Sequence, residues 1–241
     1  MARTSHGFAA LPIIGSAAVT IAWCGSMADM PGMPMPGGWT MSMAWMRMPG
    51  QSWTGAAASF LGMWTVMMIA MMLPAMTPAL RDLPGATRAR VAGGYFGVWV
   101  VCGLAVYPLG LALAELAMRE DALARLAPAL SGAVLVGAGL LQRSGWKSRQ
   151  LDCCRAARRH PPLATRAAWR QGFALGVRCC ACCAPLTAAL LAVGVMDLGA
   201  MAAATVAISL ERLAPRGQAV ARISGVLLIG AGLVLLARGL R

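Results

Sequence analysis

Residues 167–195 read AAWRQGFALGVRCCACCAPLTAALLAVGV, and their length decides the class of fold. A helix needs about 20 predominantly apolar residues to cross a bilayer. This stretch exceeds that with Arg170 and Arg178 as its only charges, so it is read as a membrane span. At its centre stand four of the chain's eight cysteines, Cys179, Cys180, Cys182 and Cys183. At 3.6 residues per turn Cys179 lies over Cys182 and Cys183, and Cys180 lies over Cys183. Thiolate sulfur is a soft ligand suited to Cu(I) and Zn(II), and Arg178 beside it supplies charge of the kind that favours thiolate over thiol. One buried Cys is ordinary packing. Four in five positions beside a charge point to chemistry.

Composition gives the same setting. Of 241 residues 59% are hydrophobic and 12% charged, against roughly 45–50% apolar in a soluble domain. The chain is expected to be an all-α, polytopic transmembrane helix bundle with about seven spans, or six if the first is cleaved, and its N-terminus inside. A net charge of +13 would suit nucleic acid. The basic residues lie between apolar stretches, however, and few aromatics are present to stack on bases. Membrane lipid, not nucleic acid, is the expected partner. No Gly-rich phosphate loop, Ser/His/Asp set or paired-carboxylate site is present, so no catalytic residue is assigned and enzyme activity has no support.

Three regions follow. Residues 1–24 read as a first span or uncleaved signal anchor, 25–52 as a Met-rich extracytoplasmic loop, and 53–241 as a six-helix membrane domain. The loop carries Met27, Met30, Met33 and Met35, then Met41, Met43, Met46 and Met48. A methionine in a loop has no core to fill, and thioethers at this spacing can chelate Cu(I) or Ag(I) without losing a proton. In the next span Met63, Met67 and Met71 stand at i, i+4, i+8, and Met68, Met72 and Met76 form a second row. A Met stripe alone is packing. Here it leads from a Met-rich loop toward a cysteine cluster. Pro74 and Pro78 are expected to break or kink the inner end of this span.

The third span is placed at Val91–Met118, with Gly93 and Gly97 as a small-residue pair, and a short fourth at Ala129–Gln142. Residues 143–170 form a basic segment that also holds Cys153, Cys154 and His160. Gly172 and Gly176 favour close helix packing in the fifth span. Asp197 marks a tight return to a sixth at Leu198–Leu210, and Glu211-Arg212-Leu-Ala-Pro-Arg216-Gly closes it before a last span at Val220–Ala237. Arg81, Arg88, Arg90 and the basic residues of 143–170 fall on one side of the membrane, opposite Arg47, Arg119 and Arg125. The positive-inside rule therefore puts the Met-rich loop outside.

The Trp64–Pro78 run resembles a known family at several further points. These are Gln142…Lys147…Leu151-Asp-Cys-Cys154-Arg155, Gly172-x3-Gly176-x2-Cys179-x2-Cys182-Cys183, Gly194-Val-Met196-Asp, and Glu211-Arg-x2-Pro215-x-Gly217. Together, over about residues 53–238, they are similar to the bacterial family of predicted metal-binding integral membrane proteins, a domain of unknown function. The resemblance implies an inner-membrane protein that binds metal. The chain departs from the family pattern at Gln150, Ala181, Ala184 and Thr187 and adds Cys153, while Cys179, Cys182 and Cys183 keep register.

The expected function is binding or transport of a soft metal, Cu(I) first, with zinc as the other candidate. The outer loop would capture the ion, Met67, Met68, Met71, Met72 and Met76 would relay it, and Cys179, Cys182 and Cys183, with Cys180, would hold it. Thioether outside and thiolate inside grade the softness of successive sites. The alternatives are a membrane thiol–disulfide redox protein and an accessory or scaffold subunit. Small-residue pairs allow a homo-oligomer or a partner membrane protein.

Overall fold

The structure, a computed structural model, describes residues 7–28, 32–47, 50–156 and 165–239. Among them are eight helices: α1 (Gly7–Ala28), α2 (Trp53–Leu80), α3 (Gly85–Arg119), α4 (Asp121–Arg143), α5 (Gly145–Ala156), α6 (Thr165–Val193), α7 (Leu198–Leu213) and α8 (Gly217–Gly239). A small antiparallel hairpin, β1 (Met33–Met35) and β2 (Trp39–Met41), lies between α1 and α2. The all-α expectation holds. Five helices, α2, α3, α4, α8 and the Ala167–Val193 part of α6, are long and apolar enough to cross a membrane. The apolar part of α1, Ala10–Ser26, is shorter, and α7 has 16 residues.

α2 is the central helix. Phe60, Met63, Trp64, Met67, Met68, Met71, Met72, Met76 and Leu80 are all buried, as expected of a helix with neighbours on most sides. α1, α3 and α7 pack on it. Large apolar side chains face outward elsewhere, among them Leu104, Leu109 and Leu113 of α3 and Leu227 and Leu233 of α8.

Small residues set the two tightest helix pairs. In α6, a Cβ on Gly172 would collide with the Val91 carbonyl, and one on Gly176 would come within 2.9 Å of the Tyr95 carbonyl. On α3 Gly93 meets the Trp169 ring of α6 and Gly94 the Trp169 carbonyl, while Gly97 faces open space. In the α4–α8 pair, Gly132 meets the Gly232 carbonyl and Gly139 the Gly225 carbonyl, at 2.8 and 2.6 Å from the would-be Cβ. Backbones can approach this closely only without side chains between them.

Several boundaries differ from those expected. α2 runs unbroken through Pro74 and Pro78 to Leu80. Its end is held by Arg88, whose guanidinium donates to the carbonyls of Leu80 (3.1 Å) and Leu83 (2.8 Å), a common use of arginine at a helix C-terminus. α3 begins at Gly85, and α4 at Asp121, with an acid in its first turn that suits the helix dipole. The expected basic connection contains α5. The Met-rich segment is not a bare loop, because Met35 and Met41 are buried with Trp39 and Trp45 against Ala114, Ala117 and Ala124. The premise that these methionines have no core to fill is corrected: the hairpin folds onto the α3–α4 corner, where Trp39 Nε1 donates to the Ala124 carbonyl (2.8 Å).

Candidate metal centre

Cys179 sits midway along α6 with Cys183 one turn later on the same face. Their Sγ atoms are 3.7 Å apart. From α2, Met72 brings its Sδ to 4.0 Å from Cys179 Sγ. All three side chains are buried. Three soft sulfur atoms from α2 and α6 thus meet.

Polar groups arrive from two other helices. Tyr95 of α3 donates its hydroxyl to Cys179 Sγ at 2.9 Å. Arg212, one residue before the end of α7, donates Nη1 to the same sulfur at 3.0 Å and lies 3.4 Å from the Tyr95 hydroxyl. Because α7 stops at Leu213, the charge in its last turn reaches the middle of α6.

Cys182 stands between this trio and α5: its side chain packs with Cys154 and Leu151 and also interacts with that of Cys183. Its carbonyl accepts from Lys147 Nζ at 2.6 Å. The same ammonium is 2.7 Å from Glu211 Oε2, with both side chains almost fully buried. The other Glu211 oxygen accepts from Ser224 Oγ (3.0 Å) and from Gln142 Nε2, so the carboxylate is well satisfied. Burial opposes the Lys147 charge, but Cys182 and Glu211 outweigh it and push the ammonium pKa above its ordinary value.

The end of α7 is fastened by Arg155, whose Nη2 donates to the carbonyls of Glu211 (2.8 Å) and Ala214 (2.5 Å). A Cβ on Gly217 would run into the Glu211 carbonyl and this same guanidinium. The Glu211-Arg-x2-Pro215-x-Gly217 segment therefore acts as a unit: Glu211 binds Lys147, Arg212 meets Cys179, and Gly217 leaves room for the turn that brings them there.

The residues picked from sequence separate accordingly. Cys179, Cys183 and Met72 come together. Cys182 faces Cys154 on α5. Cys180 does not stack on Cys183; it turns toward α3, where its Sγ is 3.5 Å from that of Cys102. Met67, Met68, Met71 and Met76 are buried around α2 as core. Met33 is exposed and Met35 buried in the hairpin. Met27 lies on α1, and Met30, Met48 and His160 fall outside the described residues.

Arg178 is exposed on α6, so the charge beside the thiols is corrected to Arg212. A helix turns about 100° per residue, and Arg178 shares no face with Cys179. Tyr95, Lys147, Glu211 and Arg212 are not among the site residues expected from sequence. The signal for the last three lies in the Gln142…Lys147 and Glu211-Arg segments, which contain charges that an apolar chain would otherwise avoid; Tyr95 carries none.

All eight cysteines are free thiols. Among the described residues no group of three or more His, Cys, Asp and Glu side chains is placed to hold a metal ion. Zinc, which takes four such ligands in structural sites, therefore has no support. Two thiols and a thioether remain, a set suited to a soft monovalent ion.

Fold and site define an apolar helical bundle organised on buried sulfur and paired charge. A family model described as copper chaperone, PpoB2, matches residues 61–235, and the chain belongs to that family. No curated protein and no solved structure matches it.

Proposed function

We propose that this is an integral membrane copper handler of the bacterial inner membrane, which takes Cu(I) as cargo at Cys179 and Cys183 with Met72 as a third ligand. The carrying observation is the spacing of the sulfurs, 3.7 Å between Cys179 and Cys183 and 4.0 Å between Cys179 and Met72. A planar three-sulfur site with metal–sulfur bonds of about 2.3 Å spaces its ligands roughly 4 Å apart. Two of the three sulfur–sulfur distances already match such a site.

Charge supports the same reading. Cu(I) bound by two thiolates carries one net negative charge, and Arg212 provides the opposite charge at hydrogen-bond distance from Cys179. Five helices able to cross a membrane, the asymmetry of basic residues and the family description favour a membrane location and copper as the ion. The exposed Met33 of the hairpin and the methionines of α2 would then lead toward the thiols, and as a chaperone the protein would pass its ion to a partner protein.

The test is metal content of protein purified under reducing conditions, with Cu(I), Ag(I) and Zn(II) in competition, for wild type against a Cys179→Ser/Cys183→Ser variant. The variant is expected to retain less Cu(I) and Ag(I) than wild type, by about one ion per chain. Equal retention by both would overturn the assignment.

A further inference from the structure

We infer that Cys102 and Cys180 form a second binding site for a soft monovalent cation, Cu(I) or Ag(I), on the flank of the central one. The two thiols come from different helices, α3 and α6, and their Sγ atoms are 3.5 Å apart. Both residues are half-buried, so the pair lies at the edge of the core rather than inside it. Neither thiol takes part in the Cys179–Cys183–Met72 trio.

The facing sulfurs are placed by close packing of the two helices. Gly172 and Gly176 of α6 lie directly against the backbone of Val91 and Tyr95 in α3, and this brings the next turns of each helix, with Cys102 and Cys180, into register. A two-sulfur ion with bonds of about 2.3 Å and a near-linear arrangement holds its ligands roughly 4.6 Å apart. The thiols must part by about 1 Å to admit it, a change within reach of their side-chain torsions. Two-coordinate binding suits Cu(I) and Ag(I), which do not demand four ligands as structural zinc does. On binding, two S–H bonds give way to two sulfur–metal bonds, and the two protons leave to water.

Cys180 is the chain neighbour of Cys179, so the flanking and central sites share one stretch of α6. An ion held by Cys102 and Cys180 is one residue away from the central thiols. The protein would therefore hold two ions along α6, and the flanking pair would be a loading or unloading station. The choice of ion rests on the copper-handling reading above, whereas the ligands do not.

The two sites are separated by testing each pair of thiols in the absence of the other. The full-length protein, kept reduced, is titrated with Ag(I), and bound metal is counted while maleimide labelling of each cysteine is followed by mass spectrometry. In a Cys179→Ser/Cys183→Ser background, Ag(I) is expected to protect Cys102 and Cys180 from labelling. Adding Cys102→Ala is expected to lower binding by about one ion per chain and to leave Cys180 open to labelling. Unchanged labelling of both thiols at saturating Ag(I), or unchanged stoichiometry in the Cys102→Ala variant, would overturn the proposal. So would recovery of the pair as a disulfide that reductant does not open. Failure of the central site would show separately, as wild-type protein that binds no more Ag(I) than the Cys179→Ser/Cys183→Ser variant. A Cys102→Ser variant that keeps its helical content controls for misfolding.

Discussion

Arg212 Nη1 of α7 lies 3.0 Å from Cys179 Sγ of α6. Hydrogen bonds to charged groups contribute about 1.5–3 kcal/mol. Arg212→Gln keeps a donor and removes the charge, and it is expected to weaken Cu(I) retention about tenfold or more while leaving the bundle folded. Competition with a Cu(I) chelator reads the change. Unaltered affinity would show that the guanidinium only supports the packing of Tyr95.

Met72 and Met76 are equally buried, but Met72 is the one found in contact with Cys179 among the described residues. Leucine conserves volume, so each Met→Leu change should cost under about 1.5 kcal/mol. Met72→Leu is expected to weaken Cu(I) binding and Met76→Leu to leave it unchanged. Equal loss in both would mean that the methionine row acts as a unit.

Lys147 and Glu211 form a buried ion pair at 2.7 Å. Lys147→Met strands the carboxylate and is expected to destabilise the protein by about 3–5 kcal/mol, with Lys147→Met/Glu211→Gln recovering part of the loss. Thermal unfolding in detergent measures both. The ammonium pKa is raised by its partners, so the contribution of the Lys147 charge is lost only as pH rises through that raised value.

Gly217 and Gly230 share α8 but differ in surroundings. A Cβ on Gly217 meets the Glu211 carbonyl and Arg155, whereas one on Gly230 meets nothing within 4 Å. Gly217→Ala is expected to lower stability by about 1–3 kcal/mol, and Gly230→Ala to be neutral or stabilising by up to about 1 kcal/mol. A lower melting temperature for Gly230→Ala would contradict the packing described.

In the hairpin, Met33 is 37% exposed and Met41 2%. Mild peroxide should oxidise Met33 first and leave Met41 intact until the hairpin opens, as read by peptide mass. Early oxidation of Met41 would show that the hairpin does not hold its packed form.

How much of this was legible follows from the residues themselves. Apolar length identified the helices α2, α3, α6 and α8, because crossing a bilayer sets a minimum run of apolar residues. The i, i+4 spacing brought Cys179 and Cys183 together, because the helix repeat fixes which side chains share a face. Gly172 and Gly176 announced a close helix contact, because only glycine allows it. These are local properties, and the sequence by itself determined them.

Tertiary structure decided which neighbour each thiol meets. Cys179, Cys180 and Cys182 are within four residues, yet one faces Arg212 and Tyr95, another Cys102 and the third Cys154. Arg178 is adjacent in sequence and points outward, while Arg212 is 33 residues away and reaches the sulfur. The physical reason is the pairing and length of helices: α7 stops short, α5 folds back against α6, and α3 is drawn onto α6 by its glycines. No periodicity within one helix encodes which partners will stand around it.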